Sequence, residues 1–370
     1  MSADRVLLVT GPATGGVAGH VAGLASGLAG LGWDVAVFTS PVTANRLPTT
    51  GVRVFPEWPT GRHNVRTALE TLRGLIAGAT VVHAHGHQAG LLTVLAAATL
   101  GQRRRPVIVT WHNAVLGSGP KRRVQALAEQ VQARQADLVT GASSDLVERA
   151  RALGAKNPEL TIVSAQAPEP RTQGSSPASP VGLDSGLEPR RGPLVLTVSR
   201  IAPQKRLDVL VDAAALLSAD VLGVRWAVAG DGDLELLDEL ERQRNRANAP
   251  VVFLGRREDV PALLEEADVF ALSSDWEARP LAVQEAMAAG VPVVATAVGG
   301  VCDLLADAGA LVQPGSAPAL AAAVKELLND PLRAADLAQR ARARVASLPD
   351  EDEVTQGWSD RYRQLVPASR

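Results

Sequence analysis

Short β-branched and aliphatic runs recur between longer Ala- and Leu-rich stretches, and this alternation restricts the fold more than any other feature of the chain. RVLLVT (5–10), DVAVFTS (34–40), VVHAH (81–85) and PVIVTWH (106–112) read as strands, with helix-like stretches at 17–31, 65–77, 88–100 and 121–135. Strands that are apolar along their whole length are covered on both faces, as in parallel sheets. Strand alternating with helix predicts a doubly wound α/β layer. The pattern stops at PEPRTQGSSPASPVGLDSGLEPRRGP (168–193), which is dense in Pro, Gly and Ser. That is the composition of a linker rather than a core.

The alternation then restarts. PLVLTVSR (193–200), VRWAVAGDG (224–232), PVVFLG (250–255), DVFALSS (268–274), PVVATA (292–297) and GALVQP (309–314) read as strands, and helices are predicted near 206–217, 233–245, 260–266, 280–289 and 317–328. The expected organisation is an N-terminal Rossmann-like domain over 1–170, a linker over 171–192, a second Rossmann-like domain over 193–350 and a C-terminal segment 351–370. A helix in that last segment is a candidate for packing back on the first domain. Ligands of open α/β sheets bind outside the carboxyl ends of the strands, so chemistry is expected there, in a cleft between two facing sheets.

Composition narrows the class. One cysteine, Cys302, allows no intrachain disulfide, which suits a reducing compartment. The start, MSADRVLLVTGPATGG, holds too short an apolar run for a signal peptide, and LLTVLAAATL (91–100) is half of a membrane span. A cytoplasmic protein is expected. Residues 1–170 carry 16 Lys+Arg against 10 Asp+Glu, and residues 171–370 carry 21 against 29. The basic clusters QRRRP (102–106) and PKRR (120–123) in the first half are candidates for holding a phosphorylated acceptor or touching anionic lipid peripherally, with plain solvated loops as the alternative. No nucleic-acid motif is present.

Several motifs sit at predicted strand ends. Gly11, Gly15 and Gly16 open the first helix, where backbone N–H groups could meet a phosphate or simply form a tight turn. Val17 follows Gly16, so this is not a nucleoside-triphosphate P-loop. Gly19, Gly23 and Gly27 bare one face of that helix, which predicts close helix–sheet packing. His83, His85 and His87 have the spacing that can open a metal site, but no histidine follows His112 to complete one. His83 and His85 are instead expected as neighbours on one strand face, with His112 better placed to meet a substrate. Asp231 and Asp233 in AGDGD could hold Mg²⁺, but Asp-Gly after a strand more often makes a turn and a helix cap. Arg200 and Lys205 flank a turn in SRIAPQKRLD, where two cations can hold a diphosphate, with an ordinary solvated loop as the alternative.

The most informative stretch is SSDWEARPLAVQEAMAAG (273–290), with Glu277 and Glu285 eight positions apart. Pro280 suits the first turn of a helix and Gly290 its left-handed end, so the helix is predicted over about 280–289. Glu277 lies in the loop before it and Glu285 one and a half turns inside. The helix N-terminus between them favours an anion, and the carboxylates suit hydroxyls on either side of it; a capping acid and a plain surface Glu are the alternative.

SRIAPQKRLD, AGDGDLELL, FLGRRED and EARPLAVQEAMAAGVPVVATAVGG, in this order, resemble the family 4 glycosyltransferases with the two-domain GT-B fold. GGVAGHVAGLASGLAGLGWDVAVFT and VTWHN look like the same family, so the resemblance spans nearly the whole chain except 171–192. It implies a metal-independent, retaining transfer of a sugar from a nucleoside-diphosphate sugar to an acceptor that the sequence does not name. By the same resemblance, Glu285 would bind the donor ribose and Glu277 hydroxyls of the transferred sugar. Arg200 and Lys205 would hold the diphosphate and assist its departure, and His112 would lie beside the donor sugar. Backbone at Gly15, Gly16 and around Arg279, Pro280 and Leu281 would add phosphate contacts, with Gly255 and Arg256 near the base. Where the family commonly has E-G-F-G, this chain has Glu277-Ala278-Arg279-Pro280. Ala278 tolerates positive φ poorly, Pro280 lacks an N–H, and Arg279 is a candidate to supply the missing charge. A sugar-nucleotide epimerase and a catalytically silent sugar-nucleotide-binding subunit are the competing readings; a metal-dependent hydrolase is remote.

Overall fold

The computed structural model describes residues 4–13, 16–59, 64–115, 119–161 and 192–366. The chain divides into two units: residues 1–166 with 349–370, and residues 167–348. Residues 171–191 of the expected linker lie outside the described residues.

The first unit is built on seven strands: β1 (Arg5–Thr10), β2 (Asp34–Phe38), β3 (Val52–Phe55), β4 (Val81–His85), β5 (Val107–Trp111), β6 (Leu138–Gly141) and β7 (Pro158–Leu160). Their order is β3-β2-β1-β4-β5-β6-β7 and every pairing is parallel. β4 and β5 are buried at every position, as strands covered on both faces must be. The strand order reverses between β1 and β4, the switch point at which such sheets bind ligands.

Helix Glu351–Leu365 completes this unit, opening on a capping box between Asp350 and Glu353. Trp358 and Tyr362 enter the core formed by Val6, Leu8, Val21 and Trp33. Trp33 Nε1 donates to Ser359 Oγ at 2.9 Å, and Tyr362 OH bonds His83 Nδ1 at 2.7 Å. The glycine face of helix Gly16–Gly30 has a different partner from the sheet expected above. A Cβ on Gly27 would meet Thr355 Oγ1 at 2.5 Å, and one on Gly23 would meet the Glu351 carboxylate at 3.4 Å. The bare stripe lets two helices approach.

The second unit has six parallel strands: β8 (Leu194–Val198), β9 (Arg225–Ala229), β10 (Val251–Gly255), β11 (Val269–Leu272), β12 (Val293–Thr296) and β13 (Ala310–Val312). Their order is β10-β9-β8-β11-β12-β13, again reversing once, between β8 and β11. Helix Pro331–Ala346, absent from the predicted set, braces the others through its arginines. Arg342 Nη2 donates to Ala289 O at 2.7 Å, and Arg344 donates to Asp303 O and Leu304 O. Each satisfies carbonyls that a helix leaves open at its C-terminus. Among the described residues no helix is long and apolar enough to cross a membrane.

The basic clusters are partly engaged inside the first unit. PKRR does not form a loop: Pro120 begins helix Pro120–Gln135, and Arg122 reaches the buried Glu129 at 3.1 Å. Arg104 of QRRRP bonds both carboxylate oxygens of Asp137.

Candidate functional site

In the second unit, two loops at the carboxyl ends of β8 and β11 are joined into one body. The 3₁₀ turn Pro203–Lys205 follows β8, and residues 273–280 follow β11. Asp275 N donates to Gln204 O at 2.9 Å, Ser273 Oγ to Lys205 O at 2.9 Å, and Gln204 Nε2 to Trp276 O at 3.3 Å. Arg206 holds a left-handed backbone (φ 47°) while its guanidinium bonds Asp208 and Asp275 at 3.0 Å. From the other side, Gly300 N donates to Glu277 O at 2.9 Å and Thr296 Oγ1 to Ser274 O at 2.6 Å.

This frame brings Lys205 and Glu277 into a direct ion pair. Their side chains are 13% and 9% exposed. Ser274 Oγ donates to the same carboxylate oxygen, Oε1, at 2.6 Å. Ser274, Ser273, Gln204, Asp275 and Arg206 were not among the expected site residues; only tertiary structure reveals what they hold.

Beside the pair lies a cavity of about 270 Å³, lined by residues that include Arg200, Lys205, Gly230, Asp231, Pro280, Leu281 and Ala282. Gly230 and Gly232 permit it. A Cβ on either would lie 2.0 or 2.2 Å from Ser199 O or Ile201 O, and both have φ near +150°. Asp233 caps the following helix through the Glu235 and Leu236 amides at 3.0 and 3.1 Å, the cap reading of AGDGD. A larger cavity of about 450 Å³ opens at the opposite, amino ends of β8, β11 and β12. Its walls are mainly Leu, Ala and Pro, and its charged residue, Asp268, is bonded to the Leu194 amide, so it offers no cation to a ligand.

Helix Leu281–Ala289 begins one residue later than predicted, with Pro280 as its N-cap (φ −72°, ψ 112°) and Gly290 as its left-handed end (φ 72°). The first intrahelical bond is Val283 N to Pro280 O at 3.1 Å, so the Leu281 and Ala282 amides precede it at the cavity wall. Ala278 is not among the positive-φ residues, and its Cβ is tolerated without strain. Arg279 does not line the cavity. It lies near Asp303 and Arg344, and burial, then Arg344, lower its pKa. Its Nε and Nη2 are enclosed without partners. Glu285 stands four residues beyond Leu281 on the same helix face, and burial raises its carboxyl pKa. Gly255 (φ 65°) and Arg256, both exposed, close β10, where Gly255 O accepts the Gly230 amide at 2.8 Å.

In the first unit, Gly16 is the first residue of its helix; Gly15 lies outside the described residues. His112 follows β5 and is 5% exposed. Its Nε2 bonds His85 Nδ1 at 3.2 Å, and the rings stack with centroids 5.4 Å apart. His20 stands edge-on to both, at 5.5 and 5.6 Å. His83 lies behind, held by Tyr362 OH and Thr110 Oγ1 at 2.7 Å each. Burial lowers all four: His20 to about 4, His112 to about 3, and His83 and His85 well below the usual imidazole value. Among the described residues no group of three His, Cys, Asp or Glu is arranged to hold a metal ion.

The chain matches the glycosyl transferases group 1 family over residues 184–344 and the glycosyl transferase 4-like domain over residues 15–166. It belongs to the family 4-type glycosyltransferases. This glycosyltransferase is 29% identical to the D-inositol 3-phosphate glycosyltransferase of Nocardiopsis dassonvillei, over 89% of this chain and 82% of that protein. It is 28% identical to the N-acetyl-alpha-D-glucosaminyl L-malate synthase of Bacillus anthracis, over 76% and 74%. Anabaena HepE, solved in complex with UDP-glucose, matches it with a TM-score of 0.78 at 22% identity over 97% of this chain and 99% of that one. The fold is therefore GT-B, and the protein is an enzyme that transfers a sugar.

Proposed function

We propose that this glycosyltransferase takes its sugar from a nucleoside-diphosphate sugar and transfers it with retention of configuration, without a metal ion. The observation that carries the reading is the cavity in the second unit. Two cations, Arg200 and Lys205, and the first residues of helix Leu281–Ala289, whose amides have no intrahelical partner, line one small space. A diphosphate fits such a site, because fixed cations and helix N–H groups together favour polyanions. The same groups would neutralise charge on the leaving diphosphate, the role a divalent ion otherwise fills. Glu277 Oε1 is taken by Lys205 and Ser274, which leaves Oε2 for a hydroxyl of the transferred sugar. Glu285, farther along the helix, takes the ribose hydroxyls. Arg279, outside the cavity lining, has no part in this. The UDP-glucose complex of Anabaena HepE supports a nucleotide-sugar donor. His112 is assigned the role of a contact to a sugar hydroxyl or phosphoryl oxygen.

The test is turnover with a panel of nucleoside-diphosphate sugars and candidate acceptors, following release of nucleoside diphosphate and product mass. Transfer with the anomeric configuration kept, and unaffected by chelator, is expected. Epimerisation of the donor, binding without turnover, or loss of activity on chelation would each overturn part of the reading.

A further inference from the structure

The mechanism above uses His112 but leaves its neighbours, the half-buried His20 and the buried His85, without a task. Three facts about them are unusual together. His85 is 2% exposed and its Nε2 is enclosed with no hydrogen-bond partner. Its other nitrogen, Nδ1, bonds His112 Nε2 at 3.2 Å. His20, edge-on to both rings, relieves neither, since its own Nε2 is also enclosed without a partner.

One proton must lie in the His85–His112 bond, and it can come from either ring. Both rings are neutral near pH 7, because burial disfavours their charged forms. If His112 Nε2 donates, His85 must carry its own proton on Nε2, where nothing accepts it. If His85 Nδ1 donates, His85 Nε2 is a bare lone pair. A buried N–H without an acceptor is the rarer and costlier defect of the two. The bond a ring nitrogen makes sets the tautomer of the whole ring.

We propose that His85 is the positioning residue for His112: it donates from Nδ1 to His112 Nε2 and thereby holds the His112 proton on Nδ1. His112 then presents an N–H to whatever lies before it. It donates a hydrogen bond to an oxygen and has no lone pair there with which to take a proton, so it is a hydroxyl or phosphoryl ligand and not a base. His85 is itself fixed from behind. Its ring lies 4.0 Å from that of His83, which Tyr362 and Thr110 hold at both nitrogens. The ligand role rests on the proposed placement of His112 at the donor sugar; the tautomer does not.

Histidine-selective ¹⁵N and ¹³C NMR of the full chain at pH 7.5 tests the tautomer directly, with the six histidines assigned by single substitution. A His112 ring protonated at Nδ1 and bare at Nε2 is expected; a proton on Nε2, or on both nitrogens, overturns the proposal. His85→Leu should return His112 to a mixture of tautomers. It should also lower kcat about tenfold, the worth of one hydrogen bond, with KM changed less than about twofold. His85→Asn, whose amide N–H occupies roughly the Nδ1 position, should keep both tautomer and kcat. A wild-type tautomer and kcat in His85→Leu, or loss of both in a folded His85→Asn, would sink the idea. His112→Ala separates the two levels. Full activity there would remove His112 from the donor site and leave the tautomer assignment standing.

Discussion

Lys205 is the obvious residue to remove in a test of diphosphate binding, yet its ion pair with Glu277 makes a single truncation ambiguous. At an effective dielectric of about 20 and an ordinary contact of about 3 Å, opposite unit charges attract by about 5 kcal/mol. Removing one partner of a fully buried pair costs about 3–5 kcal/mol, because the other charge stays buried alone. With side chains 13% and 9% exposed, the lower end applies, so Lys205→Met should cost about 3 kcal/mol. For a unit of this size that lowers the unfolding midpoint by about 6–12 °C. Trp226 and Trp276 report on the second unit by fluorescence. The double variant Lys205→Met/Glu277→Gln leaves no stranded charge and should unfold within about 1 kcal/mol of wild type. Its turnover should stay down about 100-fold or more, since the cation proposed to face the leaving group is gone. An unchanged midpoint in Lys205→Met would show the pair contributes nothing to folding. Restored turnover in the double variant would show that Lys205 and Glu277 serve structure alone.

Four further outcomes are expected. Glu285→Gln should weaken donor binding in calorimetry; because burial raises the folded-state pKa of Glu285, the wild type loses stability as pH rises from about 4.5 through that value, so the variant should be at least as stable at pH 7. The first unit should lose stability as pH falls below about 6.5, because unfolding frees histidines held near 4 (His20) and 3 (His112) to take protons; circular dichroism against pH would refute this by staying flat to pH 4.5. Gly27→Ala should destabilise by up to about 2 kcal/mol, the overpacking against Thr355 being partly offset by about 1 kcal/mol of helix propensity, and Gly27→Ala/Thr355→Ala should recover it in a double-mutant cycle. Tyr362→Phe should cost about 1–3 kcal/mol by leaving His83 Nδ1 unpaired, and limited proteolysis should then cut helix Glu351–Leu365 first.

The parallel strands were legible because burial on both faces leaves runs with no polar positions, as in RVLLVT and DVFALSS. β3, β6 and β7 were not singled out: none exceeds four residues, and β3 and β7 are only partly buried. Helix Pro331–Ala346 hides behind arginines; within it only Leu337 and Ala341 are buried, although Asp330-Pro331 offered a start signal. The glycine stripe of the first helix was visible, but its partner, Thr355, is 328 positions away from Gly27, beyond the reach of local periodicity. At the site, Arg200, Lys205, Glu277 and Glu285 stood out as charge at strand and helix ends. What the residue types could not carry was pairing. That Lys205 holds Glu277, that Arg279 lies outside the cavity lining and that His85 holds His112 are consequences of which loops meet. Arg279 shows the limit well: its charge invited a phosphate role, and the fold sets it near Asp303 and Arg344, outside the cavity lining.

Helix Glu351–Leu365 also sets an order of events during synthesis. The second unit lies wholly within residues 167–348, so it can fold as soon as that stretch has emerged from the ribosome. The first unit, begun earlier, must wait. Until Trp358 and Tyr362 arrive, Trp33 lacks its Ser359 partner, His83 lacks a bond at Nδ1, and the bare glycine face of the first helix meets water. The half of the enzyme that is translated first is therefore the half that matures last. A nascent chain stalled before residue 351 should hold a finished second unit beside a first unit still open to chaperones and proteases.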